Sequence, residues 1–397
     1  MTATRIGLPQ RRRLSRDAIV LASVSIALVA CGVVMVLSAS SVENLIATGD
    51  PFSIARRHVA FALVGVALMF VLSRIPPAFW RRCAWALLAS GIALQLLVFT
   101  PLGFASGGNR NWISLGGFGV QPSEFLKLAL IIWIAHIIAA KGELMSRWQH
   151  AVIPIVPVAG LALGTVMLGK DLGTVLIMGA IALGACFFGG MRLHHIVIAV
   201  VTAAGAALAV ALSGGTRQTR IAAWFEGCSA TSDNYLDLCW QTVHGWNALA
   251  LGGVTGAGLG NSQMKWGWLP EANNDFIFAI IGEELGAIGA VVVLAQFVLF
   301  GVVLTRVISR SHDRFVTATL GGILLWVVGQ AFVNVAVVLG MLPVLGVPLP
   351  MISAGGSSLV SILASIGVAL SLMRGTEGSR MPSDARAAVP GHAERRV

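Results

Sequence analysis

The run Ala18–Leu37, AIVLASVSIALVACGVVMVL, is twenty residues long and carries no charged side chain. Coiled as an α-helix it measures about 30 Å, the thickness of a bilayer's hydrocarbon core. It exceeds the roughly 7–15 apolar residues of a cleavable signal, and no small-x-small cleavage site follows, so it reads as a first membrane span. Runs of the same kind recur near residues 17–41, 55–74, 79–101, 122–140, 150–168, 171–189, 193–212, 275–305, 314–341 and 350–373. Backbone in hydrocarbon must close its own hydrogen bonds, which helices do and single strands cannot. The expected fold is therefore all-α, a polytopic bundle of about ten transmembrane helices.

Composition agrees. Over 397 residues the chain is 56% hydrophobic and only 11% charged, with mean hydropathy +0.84. A soluble surface needs roughly a quarter of its residues charged. The net charge of +10 would suggest nucleic acid in a soluble protein, but its distribution argues otherwise. With the N-terminus inside, nineteen of the 27 Lys and Arg residues fall in cytoplasmic segments. That asymmetry is the positive-inside rule, and it sets both termini in the cytoplasm. Arg11, Arg12 and Arg13 are then topology signals and lipid-headgroup contacts rather than a nucleic-acid site.

Three units follow: a basic cytoplasmic tail (1–16), a transmembrane domain (17–373) and a polar C-terminal tail (374–397), the tails expected to be disordered. Most connections are short. Two outer loops are not, 102–121 and about 213–274, and long loops held by a rigid scaffold commonly carry function. Cys228 and Cys239 both fall in the second loop, in an oxidising compartment, so a disulfide is expected there, with two unpaired thiols as the alternative. Cys31, Cys83 and Cys186 lie within spans and read as small packing residues. No ATP-binding motif and no internal repeat stand out.

Ionisable groups at membrane depth are costly unless paired or hydrated, which makes them site candidates. The richest stretch is Leu269-Pro270-Glu271-Ala272-Asn273-Asn274-Asp275, leading into the eighth span, with Glu283 and Glu284 deeper. Asp275 reads either as a helix-capping acid or, with its neighbours, as part of a site. The glycine-rich run Gly252–Gly260 and Lys265 lie just upstream; such a loop either presents amides to a phosphate or permits close packing. In Gln121-Pro122-Ser123-Glu124-Phe125-Leu126-Lys127, Glu124 and Lys127 are three apart and can pair on one helix face. Arg110 and Lys127 are candidates to hold an anionic headgroup. Asp171 either caps the sixth span or binds a cation or sugar hydroxyl. The stretch Pro343–Ser358, with Pro343, Pro348 and Pro350 and with Ser353 and Ser357 as candidate substrate contacts, cannot be plain helix. Irregular backbone at membrane depth is tolerated where it lines a cavity or is buried in protein.

Five ordered motifs then converge on one family. QPSEFLKL (121–128), DLGT (171–174), GxGLGxSxxK (256–265), LPEAxxDFIFAIIGEELG (269–286) and PVLGVPLPMISAGGSS (343–358) resemble the SEDS family of the FtsW/RodA type, the shape, elongation, division and sporulation proteins. The resemblance implies a peptidoglycan glycosyltransferase that polymerises lipid II outside the cytoplasmic membrane. It also implies a partner, a class B penicillin-binding protein, and other divisome membrane proteins and membrane lipids around it. The LPEA form is closer to the division members than to the elongation members, which places the chain at the septum; an elongation polymerase is the alternative. The family's essential Asp maps onto Asp275, assigned as general base on the acceptor GlcNAc 4-hydroxyl. Arg110, Lys127 and Lys265 become candidates for the lipid pyrophosphates, and Glu271 and Asp171 for sugar or a divalent cation such as Mg or Mn. The chain departs from the family pattern at Asn111 (often Arg), Lys170 (usually Pro), Asn273-Asn274 (commonly His-Thr) and Ala354 (commonly Tyr). Outside the resemblance, a lipid II flippase would want polar residues through the whole membrane depth, and a non-catalytic scaffold would not need the outer carboxylates.

Overall fold

The computed structural model describes residues 15–116, 118–212, 223–228 and 239–378. The basic N-terminal tail to residue 14, most of the C-terminal tail and two parts of the long outer loop, with Arg217 and Arg220, lie outside the described residues.

Eight described helices are long and apolar enough to span a membrane, and two shorter apolar ones complete the ten expected. In chain order, α1 covers Arg16–Thr48, α2 Ser53–Leu72, α3 Pro77–Leu96, α4 Pro122–Lys141, α5 Trp148–Leu168, α6 Leu172–Phe188 and α7 Leu193–Leu212. A helix within the long outer loop, α8 (Trp240–Gly252), precedes α9 (Ile277–Arg310), α10 (Arg314–Leu324), α11 (Gln330–Val338) and α12 (Gly356–Gly378). A five-residue π-turn, Leu325–Gly329, joins α10 to α11, so these two form one span with a widened turn at its middle.

Local chemistry explains the ends. Ser15 Oγ accepts from Ala18 N at 3.2 Å and starts α1. Pro77 and Pro122 occupy first-turn positions of α3 and α4, where proline's missing N–H costs nothing. Asp313 caps α10 through Phe315 N at 3.0 Å. The cytoplasmic acids are paired at the surface: Asp313 with Arg81, Glu143 with Arg314, and Asp17 with Arg310.

Burial separates the inner helices from the lipid-facing ones. α4 and α12 are buried along nearly their whole length, with Trp133 and, from the π-turn, Trp326 fully enclosed. Leu63 on α2, Leu161 and Leu168 on α5 and Val201 on α7 project outward, each at least 60% exposed. Apolar side chains tolerate that exposure where lipid replaces water.

The structure departs from the all-helical expectation in the first outer loop. Residues 103–120 form a three-stranded antiparallel sheet, β1 (Gly103–Ser106), β2 (Asn109–Leu115) and β3 (Phe118–Val120), in the order β1-β2-β3. Gly107 and Gly108, both at positive φ, supply the tight β1–β2 turn.

The glycine-rich run packs rather than binds. α9 breaks at Gly286 (φ 68°, ψ −171°), and residues 252–258 fill the break. Ala257 N and Gly258 N donate to the carbonyls of Glu283 and Glu284, while Ala287 N and Ile288 N donate to Gly253 and Val254. Backbone groups freed at membrane depth are thus satisfied within the protein, and those amides are not available to a phosphate. A Cβ on Gly286 would sit 2.4 Å from Gly256 N and Val254 O. Gly286→Ala therefore adds a backbone clash to the roughly 1–3 kcal/mol of strain in this conformation. The expected result is a large drop in thermal unfolding temperature in detergent, with little monodisperse protein recovered.

Cys228 and Cys239 form a disulfide that ties residues 223–228 to the start of α8. Cys228→Ser should cost on the order of 2–3 kcal/mol of local stability by releasing a short loop. Limited proteolysis will detect it as faster cleavage between residues 213 and 239 with the membrane core intact.

Candidate active site

A cavity of about 330 Å³ opens at the outer end of the bundle, where four of the five motifs meet. Sheet residues Asn109, Asn111 and Trp112 line it, with Glu124 and Lys127 from α4, Asp171 and Thr174 from α6, and Gln241 from α8. The acidic turn adds Glu271, Asn274 and Asp275, and the proline-rich crossing adds residues such as Val347 and Ser357.

Glu124 and Lys127 make the expected i, i+3 pair: Lys127 Nζ donates to Glu124 Oε1 at 2.7 Å, with both side chains 2% exposed. The ammonium also lies 5.4 Å from the Trp326 ring centroid. A charge this deep is stable only when compensated, and the carboxylate and the indole face compensate it. Trp326 belongs to the π-turn, a helix irregularity that recurs at functional sites.

Asp171 takes the capping role, one of the two readings its sequence left open. Its Oδ1 accepts from Thr174 N at 3.0 Å and caps α6. Its Oδ2 accepts from Thr174 Oγ1 at 2.8 Å, Asn111 Nδ2 at 2.6 Å and Gln121 Nε2 at 3.3 Å, inside the cavity lining. The side chain is thereby fixed as a hub joining sheet, α4 and α6.

Asp275 is 5% exposed and stands one residue ahead of the α9 N-cap, Phe276, which itself makes no side-chain cap. Two staples hold its turn. Asn334 Nδ2 donates to Asp275 O at 2.7 Å and to Val347 O at 2.8 Å, and Gln330 Nε2 donates to Pro348 O at 2.9 Å. On the other side, Ser353 Oγ donates to Asn274 O at 2.6 Å and accepts from Leu349 N at 2.8 Å. Gln330 and Asn334 thus bind irregular backbone to a helix, a use that the i, i+4 spacing does not reveal. Glu271 holds a left-handed φ of 55° and accepts from Asn274 Nδ2 at 3.2 Å, presenting an exposed carboxylate at the cavity rim.

Three candidates sit elsewhere. The Arg110 guanidinium turns back to Val98 O at 3.0 Å and Thr100 O at 3.1 Å, and its neighbour Asn111 enters the cavity instead. Ser353 is spent on the turn, whereas Ser357 lines the cavity and accepts from Gln121 N at 3.2 Å. Lys265 lies in a separate buried cluster, its Nζ within 2.6 Å of Gly260 O, 3.2 Å of Ser38 Oγ and 3.3 Å of Glu284 Oε1. Glu283 and Glu284 belong to that cluster, where Ser262 Oγ and Gln263 N reach Glu283 at 2.6 Å and Ser38 Oγ reaches Glu284 at 2.6 Å. Of Arg110, Lys127 and Lys265, only Lys127 faces the cavity. Among the described residues no three His, Cys, Asp or Glu side chains come together as a metal cage. Asp171 is already engaged by four hydrogen bonds, from Thr174 N, Thr174 Oγ1, Asn111 Nδ2 and Gln121 Nε2.

Gln241 escaped the sequence reading because it lies in no motif. A signal existed in the helix-compatible stretch 240–252 inside a loop. Bilayer-spanning helices around an acid-lined cavity at one end of the bundle define a polytopic membrane protein. The chain belongs to the FtsW/RodA/SpoVE family: the family model described as "Cell cycle protein" matches residues 18–377. It is 38% identical over 366 residues to the probable peptidoglycan glycosyltransferase FtsW of Mycobacterium tuberculosis, covering 92% of this chain and 69% of that protein. It is 33% identical over 360 residues to stage V sporulation protein E of Bacillus subtilis, covering 90% and 96%. Two solved structures share the fold. One, from work on polymerisation and crosslinking by a peptidoglycan synthase complex, has TM-score 0.69 at 23% identity, covering 89% of this chain and 96% of that one. The other, the rod shape determining protein RodA of Thermus thermophilus, has TM-score 0.65 at 22% identity, covering 93% and 99%.

Proposed function

We propose that this chain is a peptidoglycan glycosyltransferase that polymerises lipid II at the outer face of the cytoplasmic membrane, serving septal synthesis alongside a class B penicillin-binding protein. The observation that carries the reading is one cavity holding a buried carboxylate, Asp275, and a buried cation, Lys127, at the outer end of the bundle. Lipid II matches it in parts: a polyprenyl chain for lipid, a diphosphate for a cation and a disaccharide for hydrogen-bonding side chains.

In the step proposed, the acceptor GlcNAc 4-hydroxyl oxygen attacks C1 of a MurNAc on the growing strand. Its proton passes to the Asp275 carboxylate, the new C1–O bond forms, and the bond from C1 to the diphosphate oxygen breaks. Undecaprenyl diphosphate leaves with the electron pair, its charge facing the Lys127 ammonium. A positioned base supplies about 10²–10⁴-fold, and a fixed cation in a dry site stabilises developing charge far better than in water. Asn111, Gln121 and Gln241 offer amides to sugar hydroxyls and acetamido groups. The septal assignment draws on the curated FtsW relatives, and the partner on the complex named with the structural neighbour.

The test is conversion of purified lipid II to glycan by the full chain with the partner transpeptidase present. Polymer resistant to penicillin supports the reading. No polymer, with labelled lipid II crossing liposome bilayers instead, assigns the chain to transport.

A further inference from the structure

Beside the cavity lies a second, smaller cleft of about 170 Å³, sharing a wall of Gln241 and Val344 with it. Its other sides are Trp224, Thr242, Trp246 and Leu342. The chemistry of the two spaces is opposite. The cavity carries Glu124, Lys127, Asp171, Glu271 and Asp275, whereas among the described residues no ionisable side chain lines the cleft.

The cleft is a built feature. Trp224 Nε1 donates to Gly340 O at 2.9 Å, and the disulfide anchors its segment to α8. Gly340 has φ 75°, and a Cβ there would lie 2.3 Å from Trp246 Cζ2, so only glycine lets that indole seat. Trp240 Nε1 donates to Trp268 O at 2.7 Å and Gln241 Nε2 to Pro270 O at 3.2 Å, tying α8 to the turn that carries Glu271 and Asp275. Tryptophans that anchor in lipid headgroups project outward, as Trp266 and Trp268 do at 63% and 52% exposed. Trp224 and Trp246 are instead half-buried in a concave wall.

Indole faces beside an amide and a hydroxyl, without charge, suit the C–H face and hydroxyl edge of a neutral sugar ring. We propose that this cleft binds the sugars of the growing glycan strand distal to the reacting MurNAc, so that the strand passes from the charged cavity along Gln241 onto the two indoles. The inference rests on the polymerase reading above. It divides the labour between the two spaces: diphosphate and proton transfer in the charged cavity, sugar rings in the cleft.

The test uses the full-length chain in detergent and a lipid-free, phosphate-free GlcNAc–MurNAc tetrasaccharide, followed by saturation-transfer NMR. Trp246→Leu removes one indole, and Leu342→Trp fills the cleft while keeping both native indoles; both positions line the cleft and not the cavity. Each should weaken tetrasaccharide binding about tenfold, the scale of losing one well-packed aromatic contact, and shorten the strands made per strand started. A wild-type chain that polymerises lipid II but binds the tetrasaccharide no better than either variant would overturn the inference and leave the polymerase reading standing. Weaker association with anionic vesicles as the sole effect of both changes also overturns it, and assigns the indoles to lipid. Trp246-dependent binding by a chain that makes no polymer supports the cleft and defeats the polymerase reading instead.

Discussion

Asp275→Asn is expected to leave a folded, partner-bound protein that makes no detectable glycan from lipid II. The substitution keeps shape and volume and replaces the proton acceptor with an amide. Asn334 Nδ2 bridges the Asp275 and Val347 carbonyls, and the substitution leaves both of those bonds in place. Loss of a general base predicts roughly 10²–10⁴-fold slower polymerisation. The measurement is gel-resolved polymer over time, with wild type and variant matched for co-purification of the transpeptidase and for thermal unfolding. Polymer at the wild-type rate removes Asp275 as the base and moves attention to Glu271, the other acid at the cavity rim.

Lys127→Met has the second large effect, and it reaches both stability and turnover. The side chain volume is nearly kept, but Glu124 is left 2% exposed without its cation. Breaking one side of a buried pair costs about 3–5 kcal/mol, so the variant should unfold at distinctly lower temperature. Adding Glu124→Gln removes the orphaned charge and should restore most of that loss. Turnover should not return, because no other candidate cation faces the cavity: Arg110 is held by Val98 and Thr100 carbonyls and Lys265 by the Gly260 carbonyl and Glu284. Recovery of activity along with stability in the double variant would make the pair structural and take Lys127 out of diphosphate binding.

The spans were legible because hydropathy is a local sum. Twenty uncharged residues such as Ala18–Leu37 must cross or be buried whatever surrounds them, and the lysine and arginine asymmetry orients the whole stack. The Glu124–Lys127 pair was legible for the same reason, since i, i+3 residues on one helix meet regardless of context. The sheet at residues 103–120 was less so: its strands are three to seven residues long and carry no sustained alternation.

What the sequence by itself determined is therefore the number and direction of the helices and the set of motifs at their outer ends. Only the tertiary structure decided which motifs share a cavity. Arg110 and Asn111 are adjacent, yet one serves carbonyls beneath the sheet and the other reaches Asp171 at 2.6 Å. Neighbours on a strand point to opposite faces, and which face is the cavity depends on helices far away in the chain. Gly252–Gly258 and Lys265 likewise went to the break at Gly286 and the buried glutamates around it. A helix interrupted at membrane depth leaves backbone groups and charges that water cannot reach, and the nearest chain segment has to satisfy them. Local sequence states what a residue is able to bond; the partner is set by which distant segment folds against it.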